Sequence, residues 1–168
     1  MSENTNNTAH LSAALPSVTC SGTIKHHHET LLGMAKDAFD RKEFALSVIL
    51  ATSACEMLTE RAFRLLFSYR DIDYLYDSVI ERQWEYNNIT KEKSRNLYII
   101  LSKDDIPNTF KGWSDFHKHY KRRHEIAHRG KIIDEEDGNK SLQIVSDYIK
   151  HIEAILEECK PENWNQKI

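Results

Sequence analysis

The chain has 168 residues, 40% of them hydrophobic, and a formal net charge of −3, which suits one domain able to bury a core without staples. No apolar run reaches the ~18 residues of a membrane span, and the N-terminus lacks the pattern of a signal peptide, so a cytoplasmic protein without membrane association is expected. Three scattered cysteines, Cys20, Cys55 and Cys159, have neither disulfide-framework nor zinc-site spacing; Cys55 and Cys159 read as packing residues.

Residues 1–25 are rich in Ser, Thr, Asn and small residues without periodicity, and read as a flexible N-terminal tail. Residues 26–168 read as one all-α domain, a bundle of about five to six helices, because no stretch alternates with period two. His26, His27 and His28 stand at the edge of the tail and are assigned no function. Leu31, Met34, Ala35 and Ala38 mark a short first helix. A long helix from about Glu43 to Tyr69 carries Val48, Thr52, Cys55, Ala62 and Leu66 at helical spacing and forms the spine. A third helix with Ile72, Leu75, Val79 and Ile80 is expected to end near Asn87, and a fourth to begin near Thr90 with Leu97, Ile100 and Leu101. The loop "SKDDIPNTFKG" follows. Ser114 is the expected N-cap of a fifth helix that stops at Gly130, well placed as a left-handed C-terminal residue. Leu142, Val145, Ile149, Ile152, Leu156 and Cys159 form the apolar stripe of a last helix ended by Pro161.

The chemistry concentrates in "KHYKRRHEIAHRG", Lys118 to Gly130. Between His117 and Lys131 stand six Lys/Arg, four histidines and one acid, Glu125. Lys121, Arg122 and Arg129 of this basic patch are candidates for contacts to a polyanion such as RNA; a solvated helix face is the plainer alternative. The letters HEIAH, His124 to His128, also match the H-E-x-x-H of zinc peptidases, with both histidines on one helix face. A third ligand is missing downstream, Glu153 is only a distant candidate, and the surrounding arginines oppose a dication. No metal or cofactor is therefore expected.

Arg123 and His128 suit phosphodiester cleavage better. Arginine offers a permanent cation and a donor fork matched to phosphate oxygens, and histidine exchanges a proton near neutral pH. Arg123 and His128 lie roughly 140° apart on a helix, flanking an apolar seam of Trp113, Phe116, Tyr120 and Ala127. If that seam packs on its own copy about a two-fold axis, both motifs converge on one cleft and supply the acid and the base that one chain lacks. Glu56 sits among apolar residues of the spine helix and could orient a motif residue; an ordinary half-exposed glutamate is the plainer reading. Trp84, Trp113 and Tyr120 could stack on bases, but read first as core or interface aromatics.

The segment "RHEIAH", Arg123 to His128, resembles the Arg-x4–6-His motif of the HEPN superfamily (higher eukaryotes and prokaryotes nucleotide-binding domain). "AKDAFDRKEF" followed by "ALSVILATSACEMLTERAFRLL" is similar to the opening helices of such domains, so the resemblance covers roughly residues 30–159. It implies a metal-independent, homodimeric endoribonuclease of toxin–antitoxin or other defence systems, with an antitoxin or regulatory partner. Arg123 and His128 carry the catalytic roles by this resemblance and His124 a supporting one; Arg122 also satisfies the spacing. Some HEPN members have lost catalysis and bind or scaffold instead.

Overall fold

The computed structural model describes residues 26–81 and 88–164. The tail, Cys20, Trp84 and the expected end of the third helix lie outside the described residues. Those described form helices and turns without strands: α1 (His27–Asp40), α2 (Phe44–Tyr69), a 3₁₀ turn (Asp73–Leu75), a π turn (Asp77–Glu81), α3 (Glu92–Ser102), α4 (Ile106–Thr109), α5 (Trp113–Arg129), α6 (Glu135–Glu158) and α7 (Pro161–Trp164). The all-α expectation holds, and five of these helices are eleven residues or longer.

The spine is α2. Val48, Ala51, Ala54, Cys55, Leu58, Ala62 and Leu66 are buried, and small residues on several turns let neighbouring helices approach closely. Its main partners are α1, joined through the tight turn at residues 41–43, and α6. α1 runs antiparallel to it: Phe39 meets Phe44 at one end, and His26 lies 3.3 Å from Arg61 at the other. α6 starts at an N-cap Asp134, whose Oδ1 accepts from the Asp137 backbone N–H at 2.8 Å. Glu135, Glu136 and Asp137 in its first turn complement the helix dipole. Its expected apolar stripe is buried as read, and Tyr148 reaches Thr59 of α2 at 2.8 Å.

Three local expectations are corrected. The third helix is instead the 3₁₀ turn and the π turn. The chain leaves α2 through Asp71 in the left-handed region, φ 56°, and Tyr76 and Ile80 reach the core from this irregular segment. In α3 the inward residues are Tyr98 and Leu101, whereas Ile100 is 63% exposed. α5 begins two residues earlier than expected, with Gly112 rather than Ser114 as N-cap; Gly112 sits against Ile144 and Phe110, where a β-carbon would clash.

The "SKDDIPNTFKG" loop is built around Asp104. Its carboxylate accepts from Tyr98 Oη at 3.0 Å, from His151 Nε2 at 2.8 Å and from Thr109 Oγ1, joining α3, α4 and α6. Burial alone would raise the Asp104 carboxyl, but these hydrogen bonds together hold it below its ordinary value. Cys55 and Cys159 are both buried, and the Cys159 thiol donates to the Ser102 carbonyl at 3.4 Å.

Candidate functional site

α5 lies antiparallel to α6 and crosses the first half of α2. Phe116 stacks on Tyr148 with ring centroids 4.3 Å apart, and His119 Nε2 meets Thr52 Oγ1 at 3.0 Å. The Thr52 hydroxyl already donates to the Val48 carbonyl at 2.8 Å. His119 Nε2 must therefore carry the proton in that contact, leaving a bare Nδ1 buried without a hydrogen-bond partner among the described residues. Burial, with the Arg122 charge nearby, pushes the pKa of His119 down to about 3, so it is a neutral core residue.

This packing corrects the expected dimer seam. Phe116 is fully buried and Trp113 and Tyr120 pack against the same core, under α2 and α6 of their own chain; of the expected seam only Ala127 is exposed. Helical spacing revealed an apolar face but not what covers it. The apolar surface left near the motif is a groove lined by Phe44, Ala45, Leu46, Ile126 and Ile132, with Ile132 90% exposed.

The last two turns of α5 carry the motif and end at Gly130, which adopts φ 63° and donates its N–H to the Ile126 carbonyl at 3.1 Å. This is the left-handed glycine stop expected from the sequence. The two adjacent arginines part here. Arg122 turns toward α6, pairing with Asp137 at 3.0 Å, with its side chain only 14% exposed. Arg123 lies on the other side, in an open cleft of about 360 Å³ lined with Glu56, Asn88, Thr90, Lys91, Tyr120, Lys121 and His124. His128 is one turn beyond His124, its ring 4.5 Å away.

Charge sorts the basic patch in the same way. Lys118 is paired with Asp115, Arg122 with Asp137 and Lys131 with Glu125, whereas Lys121, Arg123 and Arg129 make no ion pair among the described residues. Burial raises the Glu56 carboxyl above its ordinary value, an effect opposed by the Arg123 charge, so the carboxylate and the guanidinium sense each other across the cleft. Glu125, the base of a zinc-peptidase reading, is held by Lys131 at 2.8 Å, and that hydrogen bond lowers its pKa. Glu153 lies instead beside His28, 3.2 Å away. Near His124 and His128 the described residues offer no third metal ligand; the grouping of ligating side chains found among them is His28, Glu29 and Glu153.

Reading the sequence alone missed the contributors from the start of α3. Lys91 and its neighbours reach the cleft from the start of α3, over thirty residues from the motif, and no local spacing signals that. Tyr120, read first as a core or interface aromatic, packs against the core as that reading has it, and its hydroxyl is buried without a hydrogen-bond partner among the described residues behind the wall of the Arg123 cleft. A permanent cation, two neighbouring imidazoles and further lysines can together hold a phosphodiester and exchange protons with it. No helix among the described residues is long and apolar enough to cross a membrane. Comparison of the chain with protein-family models, curated proteins and solved structures gave no match.

Proposed function

We propose that the protein is a metal-independent endoribonuclease of the HEPN kind, acting through Arg123, His128 and His124. The observation that carries this reading is the parting of the two arginines: Arg122 is tied to Asp137, while Arg123 makes no ion pair among the described residues and lies in a cleft shared with His124 and Lys121. In the reaction a histidine takes the proton of the substrate 2′-hydroxyl, and O2′ attacks phosphorus as the P–O5′ bond breaks. An imidazolium returns a proton to the departing 5′-oxygen, leaving a 2′,3′-cyclic phosphate and a 5′-hydroxyl. Arg123 faces the charge that develops on the phosphorane, and Lys121 and Arg129 hold the flanking backbone.

One chain offers few groups for both proton transfers, so the reading includes a two-fold homodimer. The groove beside the motif that holds half-buried Ile126 and exposed Ile132 is the surface suited to it, and Ile132→Asp should dissociate the dimer in sedimentation velocity and lower cleavage with it.

The test is cleavage of RNA in EDTA, followed by analysis of the ends. The expected result is cleavage that persists in EDTA, stops when the scissile ribose is 2′-deoxy, and falls by about 10²- to 10⁴-fold in His128→Ala. Binding without turnover by the wild type would establish a non-catalytic RNA-binding module instead, and activity restored only by zinc would establish a hydrolase using His124 and His128 as ligands.

A further inference from the structure

We propose that His28, Glu29 and Glu153 bind a divalent metal ion of the zinc class, which ties the start of α1 to the C-terminal half of α6. One ligand atom from each residue lies within 4.8 Å of the others. His28 Nε2 and Glu153 Oε1 are 3.2 Å apart. Atoms bound tetrahedrally at about 2.0–2.1 Å stand roughly 3.3 Å from one another, so this pair already has the spacing of two ligands on one ion. Glu29 is exposed, and its Oε2 accepts from the His26 backbone N–H at 3.2 Å; its second oxygen can ligate while that cap is kept.

The imidazole is held in place before any ion arrives. His28 is 1% exposed, and its ring lies nearly parallel to that of His26, centroids 5.7 Å apart. One nitrogen and two carboxylates suit a borderline cation; calcium takes six to eight oxygens and copper(I) prefers sulfur. Two charges oppose the ion. Arg61 Nη2 lies 3.3 Å from His26 Nε2, and the N-terminus of α1 contributes roughly half a positive charge. Two carboxylates outweigh them.

The site lies far from the RNA-cleaving motif. Sixteen residues separate Glu153 from Asp137, the partner of Arg122, which is roughly 24 Å along α6. The ion is therefore a brace between distant segments, and its presence or absence is independent of cleavage chemistry.

Full-length protein stripped with EDTA and dialysed is titrated with zinc by calorimetry and with cobalt(II) by visible absorption. The wild type, Glu153→Gln and the double variant His124→Ala/His128→Ala are compared. The expected result is one equivalent bound, affinity weakened about tenfold or more in Glu153→Gln and unchanged in the double variant. Zinc should also slow amide exchange in α1. Should Glu153→Gln lose its helical circular dichroism, Glu29→Gln at the exposed ligand replaces it, with the same expected weakening. No binding by the wild type, full affinity in the ligand variant, or loss of binding in the double variant would each overturn the proposal.

Discussion

Arg122 Nη2 stands 3.0 Å from Asp137 Oδ1, a partly buried pair that fastens the end of α5 to the first turn of α6. Its neighbour Arg123 points into the cleft with Glu56. Two adjacent residues of one type thus have separable roles. Arg122→Ala should lower stability by about 1 kcal/mol in urea denaturation and leave cleavage within a few-fold of wild type. Arg123→Ala should do the reverse, reducing the rate by about 10²- to 10³-fold with little change in the urea midpoint. Arg123→Lys should rescue poorly, because the donor fork is lost. If the Arg122 variant lost the activity and the Arg123 variant kept it, the assignment would be wrong.

His119 makes the fold acid-sensitive. Its pKa falls from 6.5 unfolded to about 3 folded, so the unfolded chain binds the extra proton between those values. Its contribution is fully present above 6.5 and is lost as pH falls toward 3. The slope is about 1.4 kcal/mol per pH unit, which makes roughly 2 kcal/mol between pH 7 and pH 5 from this residue. His119→Gln can still donate to Thr52 but does not titrate. Urea denaturation at both pH values should show a smaller difference for the variant; an equal difference would remove His119 as the cause.

Asp104 acts in a different window. Its folded pKa lies below the ordinary 3.8, so its contribution is present above that value and is lost as pH falls through the folded pKa. Asp104→Asn faces its new amide group toward donors from Tyr98, Thr109 and His151, and should cost about 3 kcal/mol at pH 7. The gap between variant and wild type should narrow below pH 4 in thermal denaturation followed by circular dichroism. A constant gap would mean that charge on Asp104 contributes nothing.

Two glycines should respond with opposite signs. Gly130 adopts φ 63° with open space around it, so Gly130→Ala costs about 1 kcal/mol from backbone strain alone. Gly33 lies inside α1 with nothing within 4 Å of a β-carbon, so Gly33→Ala should stabilise by about 0.5–1 kcal/mol. Melting temperatures of the two variants decide it, and movement in the same direction would contradict this account.

The helices were legible where one apolar stripe meets one core. Leu142 to Cys159 kept their spacing in α6, and Gly130 marked the end of α5. The segment at residues 72–81 was not, because its apolar spacing is that of a helix while Asp71 turns the chain left-handed and a π turn replaces a regular one. Phe116 and Tyr120 show the limit of periodicity, which identifies an apolar face without saying which chain covers it. The motif was visible because its residues are consecutive, but nothing in its spacing told that Arg122 would be tied to Asp137. The Asp104 hub was hidden because Tyr98, Thr109 and His151 come from separate elements and converge only when the chain folds.

Burial of Cys55 and Cys159 gives the molecule an internal clock. Neither sulfur can meet a bulky thiol reagent while α2 and the end of α6 stay packed, and burial drives the Cys55 thiol well above its ordinary pKa, so little nucleophilic thiolate exists there. In a Cys20→Ser protein, modification can then proceed only through openings of the bundle. Cys55, at mid-spine, times opening of the central packing. Cys159, hydrogen-bonded to Ser102, times release of the α6 terminus. The ratio of the two labelling rates measures whether the bundle loosens from its end or all at once.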